Sequence, residues 1–285
     1  MASLKQIRQR IRSAKNIRQI TRAMKLVAAA RLKKAQDRVL EARPYADKLR
    51  EFMQSVSAGG SLPAHPLLEK RGEIRRIGLI LVTAERGLAG SYNTALIRKA
   101  TEWLKEQTVP TDMIAVGKKG ALFFGKRGIE VVHQQVIATT GATYEDATTV
   151  TQKAVQMFTG GEVDAIYLLY SKFYSPIRQV PTVIQMLPIE PPTTDEPVAG
   201  KDYEYEPTPD QLFGILLPKY VQTLVFQALL ESNASEHGAR MTAMTSATDN
   251  AGKMIDELTL KANRERQASI TKEILEVVGG AEALN

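Results

Sequence analysis

The chain has 285 residues, 44% of them hydrophobic and 24% charged, with a net charge of +7 and no cysteine. That is the composition of a folded globular protein; it excludes disulfides, thiolate catalysis and cysteine-based zinc sites. His65, His133 and His237 are too scattered to form a ligand pair, so neither a metal site nor a cofactor is expected.

The charge is uneven. Residues 1–50 hold fifteen basic and three acidic residues, which leaves the other 235 with a net −5. A cationic end predicts an anionic partner: an acidic protein surface, nucleic acid or anionic lipid. From Met1 to Gln36 there are eleven Lys and Arg and no acid. The same stretch carries a thin apolar stripe at Leu4, Ile7, Ile11, Ala14, Ile17, Ile20, Met24 and Val27, continuing at Leu32, Ala35, Val39, Leu49, Phe52 and Val56. Spacings of three and four over so many turns predict one helix across 1–57, roughly 80 Å long and seamed as a coiled coil. The acid-free, Arg-rich start is like a mitochondrial transit peptide, but the helical pattern runs on past residue 50, so mature structure is expected. No apolar run approaches the roughly 20 residues that span a bilayer.

"SAGGSLPAHP" (57–66) ends the helix. Residues 73–190 then alternate in texture. Strands are predicted at 74–84, 112–117, 130–136, 164–175 and 178–190, with helices after "RGLAGSYN" (86–93), at "KGALFFGKRG" and at 143–158. Alternating strands and helices imply a Rossmann-like α/β layer with a largely parallel sheet. A Pro-rich, acidic connector follows at 191–209, and 210–285 is helical again, roughly 100 Å if continuous. Pro218 is expected at an early turn or kink. The later seam reads Met241, Met244, Thr248, Ala251, Ile255, Leu258, Ala262, Ile270, Ile274 and Val277. Neither terminal helix can bury its stripe alone. The fold expected is therefore α/β, with a long antiparallel coiled coil of the two terminal helices and the α/β domain inserted between them. The seam's small and polar residues make that coil slim.

Several motifs have two readings. "GALFFGKR" (120–127) fits the glycine and lysine spacing of a phosphate loop. However, Arg127 stands where a Ser or Thr would hold Mg²⁺, the intervening residues are apolar, and Gly125 closes a helix instead of opening one. A helix end is expected. "GLAGSYN" (87–93) lies between strand and helix, the context of an anion site, or else is a tight turn capped by Asn93 or Thr94. The turn is expected. "YEYE" (203–206) reads equally as an edge strand or a partner contact. The basic N-terminal helix could serve nucleic acid, but it lacks interleaved aromatics and its charges surround it. An acidic partner, or relief by acids of the C-terminal helix (Asp256, Glu257, Glu265, Glu273, Glu276), remains. In "NRERQASITKE" (263–273), Arg266 and Gln267 are expected to point away from the 262/270 seam, as a soluble face or a polar contact set.

"QITRAMKLVAAARL" (19–32), "ERGLAGSYN" (85–93), "ASEHGARMTAMTSATDNA" (234–251) and "RQASITKEI" (266–274) resemble, in order and over the full length, the gamma subunits of F-type ATP synthases of the bacterial type. The resemblance implies a rotor shaft: an antiparallel coil inside a hexamer of alpha and beta subunits, with the α/β domain beside the epsilon subunit and on the ring of membrane subunits. Rotation of the ring by proton flow would then drive the beta subunits through their conformations. The shaft itself would be non-catalytic, without nucleotide, one copy per complex, peripheral on the cytoplasmic face of the cell membrane. It implies beta-subunit contacts for Met24 and Lys25 beside an acidic loop, for Arg240 near the same level, and for Arg266, Gln267 and Thr271 further along. Tyr203 and Tyr205 match the region near epsilon and the ring. Glu85 stands where the family usually has Asp, and no cysteine pair of the chloroplast kind is present. The competing readings are a nucleotide-using α/β enzyme and a basic coiled-coil protein that binds nucleic acid.

Overall fold

A computed structural model describes residues 4–58, 64–138, 140–190 and 209–282. The chain divides into two compact units, one of residues 29–240 and one joining 1–28 with 241–285.

The larger unit is built on a five-stranded sheet. β1 (Ile77–Val82) is buried at all six positions. It lies between β2 (Thr111–Val116) and β4 (Ala165–Ser175), parallel to both, with Ile80 opposite Ile114 and Leu168. A strand covered on both faces has no polar side, which is why "IGLILV" reads as one apolar run. β3 (Val131–Gln135) extends the parallel set beyond β2. β5 (Arg178–Leu187) returns antiparallel to β4, giving the order β3-β2-β1-β4-β5. The order reverses at β1, as in doubly wound sheets. β5 is an edge strand and carries Pro181, a residue tolerated there because its position need not donate to a further strand.

Alternate strand residues feed two cores. Leu79, Leu81, Met113 and Ala115 meet α2 (Tyr92–Glu106) and α3 (Lys118–Gly125). Ile80, Val82, Ile114 and Leu168 meet α4 (Tyr144–Thr159) together with Met53, Phe213, Leu217, Val221 and Val225 of the terminal helices. α4 starts where the sequence "TYED" places a capping box: the Thr143 hydroxyl accepts from the Asp146 N–H, and the Asp146 carboxylate accepts from the Thr143 N–H. At the opposite end of the sheet Asp164 accepts from Arg71 Nη1 at 2.9 Å and from the Arg75 and Arg76 N–H groups. Burial raises its pKa, but those three bonds and the Arg71 charge outweigh it and hold the carboxyl below its usual range.

The terminal helices are α1 (Leu4–Ala58) and α5 (Pro209–Glu282). Pro218 lies within α5, nine residues after the helix begins at Pro209, and does not end it; Pro44 likewise lies within α1. α5 also corrects the reading of its hydropathy. An eighteen-residue window between Gln211 and Gly279 reaches a mean hydropathy of 1.4, apolar and long enough by composition to cross a bilayer. From Phe213 to Leu229, however, α5 is buried in the core of the larger unit at Phe213, Leu217, Val221, Val225 and Leu229.

In the smaller unit, α1 and α5 run antiparallel. Thr21 and Thr248 share a hydrogen bond with their oxygens 2.8 Å apart, and three residues back along α1, Arg18 lies over Gly252, four residues on along α5. The seam differs from the expected stripe. Ile7, Ala14, Thr21 and Ala28 are buried, a strict seven-residue repeat, while Ile17, Ile20 and Val27 are more than half exposed. A seven-residue period keeps one face on the partner helix; a run of threes and fours chosen by hydrophobicity alone drifts off it. Thr21 can stand in the seam because its hydroxyl donates to the Ile17 carbonyl at 3.0 Å and pairs with Thr248. On α5, Met244, Ala251 and Ile255 are buried as expected. Ile270, Ile274 and Val277 are not: the Thr21–Thr248 register puts Leu4, the first described residue of α1, opposite about residue 265.

Candidate functional site: partner surfaces of the terminal helices

The cations of α1 divide along its length: Lys33, Lys48 and Arg50 pair with Asp37, Glu51 and Asp47 of the same helix, whereas those nearer its start do not. Among the described residues no ion pair engages Lys5, Arg8, Arg12, Arg18, Arg22 or Lys25, while on α5 Glu276 takes Lys272. Asp256, Glu257, Glu265, Glu273 and Glu276 of α5 make no ion pair with these cations among the described residues. Beside the cations stand Ile17, Ile20, Leu26 and Val27, each more than 50% exposed. Met24 and Lys25 lie half-buried on the flank of the seam. A cationic helix with an open apolar stripe is an unfinished interface.

The C-terminal part of α5 repeats the theme. Arg266, Gln267 and Thr271 are exposed, and so are Ile270, Ile274, Leu275, Val277 and Val278. At about 100° per residue, Arg266, Gln267, Ile270, Thr271 and Ile274 fall within about 140° of one another. The structure therefore brings three expected contact residues onto one mixed face. Arg266 stands between Ala262 and Ile270 at steps of four, and like Ile270 it is exposed.

Arg240, on α5 in the larger unit, is differently placed. Its side chain is 13% exposed. Its Nη2 donates to Glu236 Oε1 at 2.6 Å and to the Gly87 carbonyl at 3.3 Å, and its Nη1 lies 3.2 Å from His237 Nδ1. Burial first, then the Arg240 and Arg31 charges, push the His237 pKa down to about 4. The ring is neutral at pH 7, so Nδ1 can accept from the guanidinium. Tyr92, buried beside this cluster, bonds Ser232, and its hydroxyl is pushed well up by burial. Tyr203 and Tyr205 lie outside the described residues.

The first glycine of the 120–127 segment is engaged in packing. The Gly120 N–H already donates to Thr83 Oγ1 at 2.9 Å, and a Cβ there would stand 3.0 Å from Leu81 and Thr83. Gly120 brings α3 close onto β1, and Gly125 closes the helix as expected. In the 86–90 turn Leu88 takes a left-handed φ of 59° and is 65% exposed. Asn93 is not the cap: α2 begins after Ser91, and the Asn93 side chain instead accepts from the Ala84 N–H at 2.9 Å, tying the loop to the end of β1. Among the described residues no three metal-ligating side chains gather.

Sequence reasoning missed the serines of α5. Ser232 and Ser235 are buried and bond the backbone of Ser171 in β4. Their one visible signal was two small hydroxyls three apart in a helix that elsewhere buries apolar groups.

A family model of ATP synthase matches residues 3–284. The chain belongs to the ATP synthase gamma-chain family. Relatives bearing the name ATP synthase gamma chain include that of Desulfitobacterium hafniense, 46% identical over 284 residues and covering all of both chains, and that of Moorella thermoacetica, likewise 46% identical over all of both. In fold, this gamma-family chain is similar to a chain of the Euglena gracilis mitochondrial ATP synthase in rotational state 3, with a TM-score of 0.74 at 19% identity over 99% of this chain and 94% of that one. A chain of the rotor of the same enzyme in rotational state 1 gives 0.68 at 18% identity, covering 94% and 98%.

Proposed function

We propose that this chain is the central rotor shaft of an F-type ATP synthase. It couples proton-driven rotation of a membrane ring to conformational change in the catalytic beta subunits, with one copy at the centre of each alpha–beta hexamer. It acts as a peripheral subunit on the cytoplasmic face of a bacterial membrane, takes no cofactor and is not itself catalytic.

The observation that carries this reading is the surface of the smaller unit. Uncompensated cations and open apolar side chains lie along α1, and α5 runs on past its partner with a mixed face exposed. A free protein gains nothing by exposing both; a sleeve of other subunits gives both a partner. Met24 and Lys25 meet an acidic loop of beta, and Arg266, Gln267 and Thr271 meet a second beta segment. Arg240 contributes through the 86–90 loop, whose backbone it holds. Tyr203 and Tyr205 belong to the epsilon and ring contacts. Exposed charge pairs are individually worth ~0–1 kcal/mol. Many weak contacts let the shaft leave each orientation, and their sum at each angle favours one beta conformation over another.

Mixing this chain with alpha and beta subunits from one source tests the reading. One copy should co-elute with three alpha–beta pairs, with ATPase appearing in that complex. ATP or nucleic acid bound by the chain alone, without co-elution, would instead favour the enzyme or nucleic-acid readings.

A further inference from the structure

β4 outlasts its neighbour. β1 pairs with it from Ala165 to Leu169 and then stops, while β4 continues to Ser175. The edge so freed would leave buried peptide groups without a strand to bond. α5 takes the strand's place. The Ser171 N–H donates to Ser232 Oγ at 3.2 Å, Ser235 Oγ donates to the Ser171 carbonyl at 3.0 Å, and the Phe173 N–H donates to Glu231 Oε2 at 3.2 Å. Ser171, Ser232 and Ser235 are all nearly inaccessible to solvent. One turn further on, Gly238 lets the α5 backbone close on the β4–β5 turn: a Cβ there would stand 3.2 Å from Pro176 Cα. On its other side the same stretch holds Tyr92 through Ser232 and the Gly87 carbonyl through Arg240.

We propose that Glu231, Ser232 and Ser235 form the torque-bearing weld between the α/β sheet and α5. They are positioning residues, and the assignment rests on the shaft reading above. Apolar packing resists separation but is non-directional and allows sliding. Hydrogen bonds to strand backbone fix both the level and the rotation of the helix against the sheet, because each has a narrow range of length and angle. A rotor that receives torque at the α/β domain and delivers it through α5 needs that fixation. Serine is the residue for it: its hydroxyl donates and accepts at the peptide edge, and it is small enough for the helix to approach.

The test uses the assembled complex of alpha, beta, epsilon and this chain, with a bead fixed to the α/β domain and the hexamer fixed to glass. Two readouts are compared between the natural chain and a Ser232→Ala/Ser235→Ala variant. They are hydrogen exchange at the Ser171 amide, and the angular spread of the bead in each ATP-waiting pause. Val150→Ala, a core truncation on α4 that removes none of the hydrogen bonds between α5 and β4, controls for lost stability. The proposal expects faster exchange at Ser171 and a wider angular spread in the serine variant alone, with ATP hydrolysis unchanged. Faster exchange with no change in spread overturns it, as does equal widening in Val150→Ala, or exchange that does not change. If the double variant fails to assemble, Ser232→Ala alone gives the same readouts. A natural chain that assembles but does not rotate fails the shaft reading, a result separate from all of these.

Discussion

His237 is buried against Arg240 with its pKa pushed down to about 4. An unfolded histidine titrates near 6.5, so between those values the unfolded chain binds the extra proton and the folded chain does not. Stability from this group is complete above pH 6.5 and is lost as pH falls toward 4, by roughly 3 kcal/mol in all. Denaturant unfolding at several pH values should show that slope, and His237→Gln should flatten it. The seam gives a second prediction at this scale. Ile7→Ala should cost about 2–4 kcal/mol, since Ile7 is 1% exposed, whereas the exposed Ile17→Ala should stay within about 0.5 kcal/mol. Equal effects would restore the stripe read from hydrophobicity. That stripe was misread for a physical reason. Thr21 and Ala28 hold seam positions through a hydroxyl pair and small size, and neither registers as strongly apolar, while Ile17, Ile20 and Val27 register strongly and face outward.

At the scale of elements, most of the sheet was legible because β1, β2 and β4 carry long buried runs and α4 starts at a recognisable cap. The Thr143–Asp146 box is that cap, and Thr143→Ala should cost about 1 kcal/mol in unfolding of the larger unit. The apolar interior of the phosphate-loop lookalike was legible in part: Ala121 and Phe124 are buried on α3, whereas Leu122 is 59% exposed. The α5 clamp on β4 was not, because a serine's use depends on which backbone edge lies beside it, and that is set by where β1 happens to stop. Nor was the reach of α5 past α1, which follows from a register no periodicity reveals. Removing residues 270–285 should leave the chain's own unfolding free energy within about 0.5 kcal/mol, as the described residues there are exposed, but should loosen its hold in the alpha–beta hexamer. Thermal unfolding of the chain and the retention of alpha–beta pairs on size exclusion measure the two effects. A large loss of intrinsic stability would mean that this segment packs within the chain.

For the whole molecule, the uneven charge is the feature composition alone could deliver. Of the fifteen basic residues among the first fifty, the eight from Lys5 to Lys25 make no ion pair among the described residues, whereas Lys33, Lys48 and Arg50 pair along α1. Such charges are conspicuous in sequence because they are not compensated locally, and they are informative for the same reason. Exposed charge attraction is screened within about 8 Å at physiological salt. Association of this chain with alpha and beta subunits should therefore weaken steadily as salt rises, and titration by light scattering at increasing ionic strength would show it. The central claim is mechanical, and rotation tests it most directly. With the hexamer fixed and a bead on the α/β domain of this chain, added ATP should drive stepwise turning in one direction. A complex that hydrolyses ATP at full rate while the bead stays still would contradict the account.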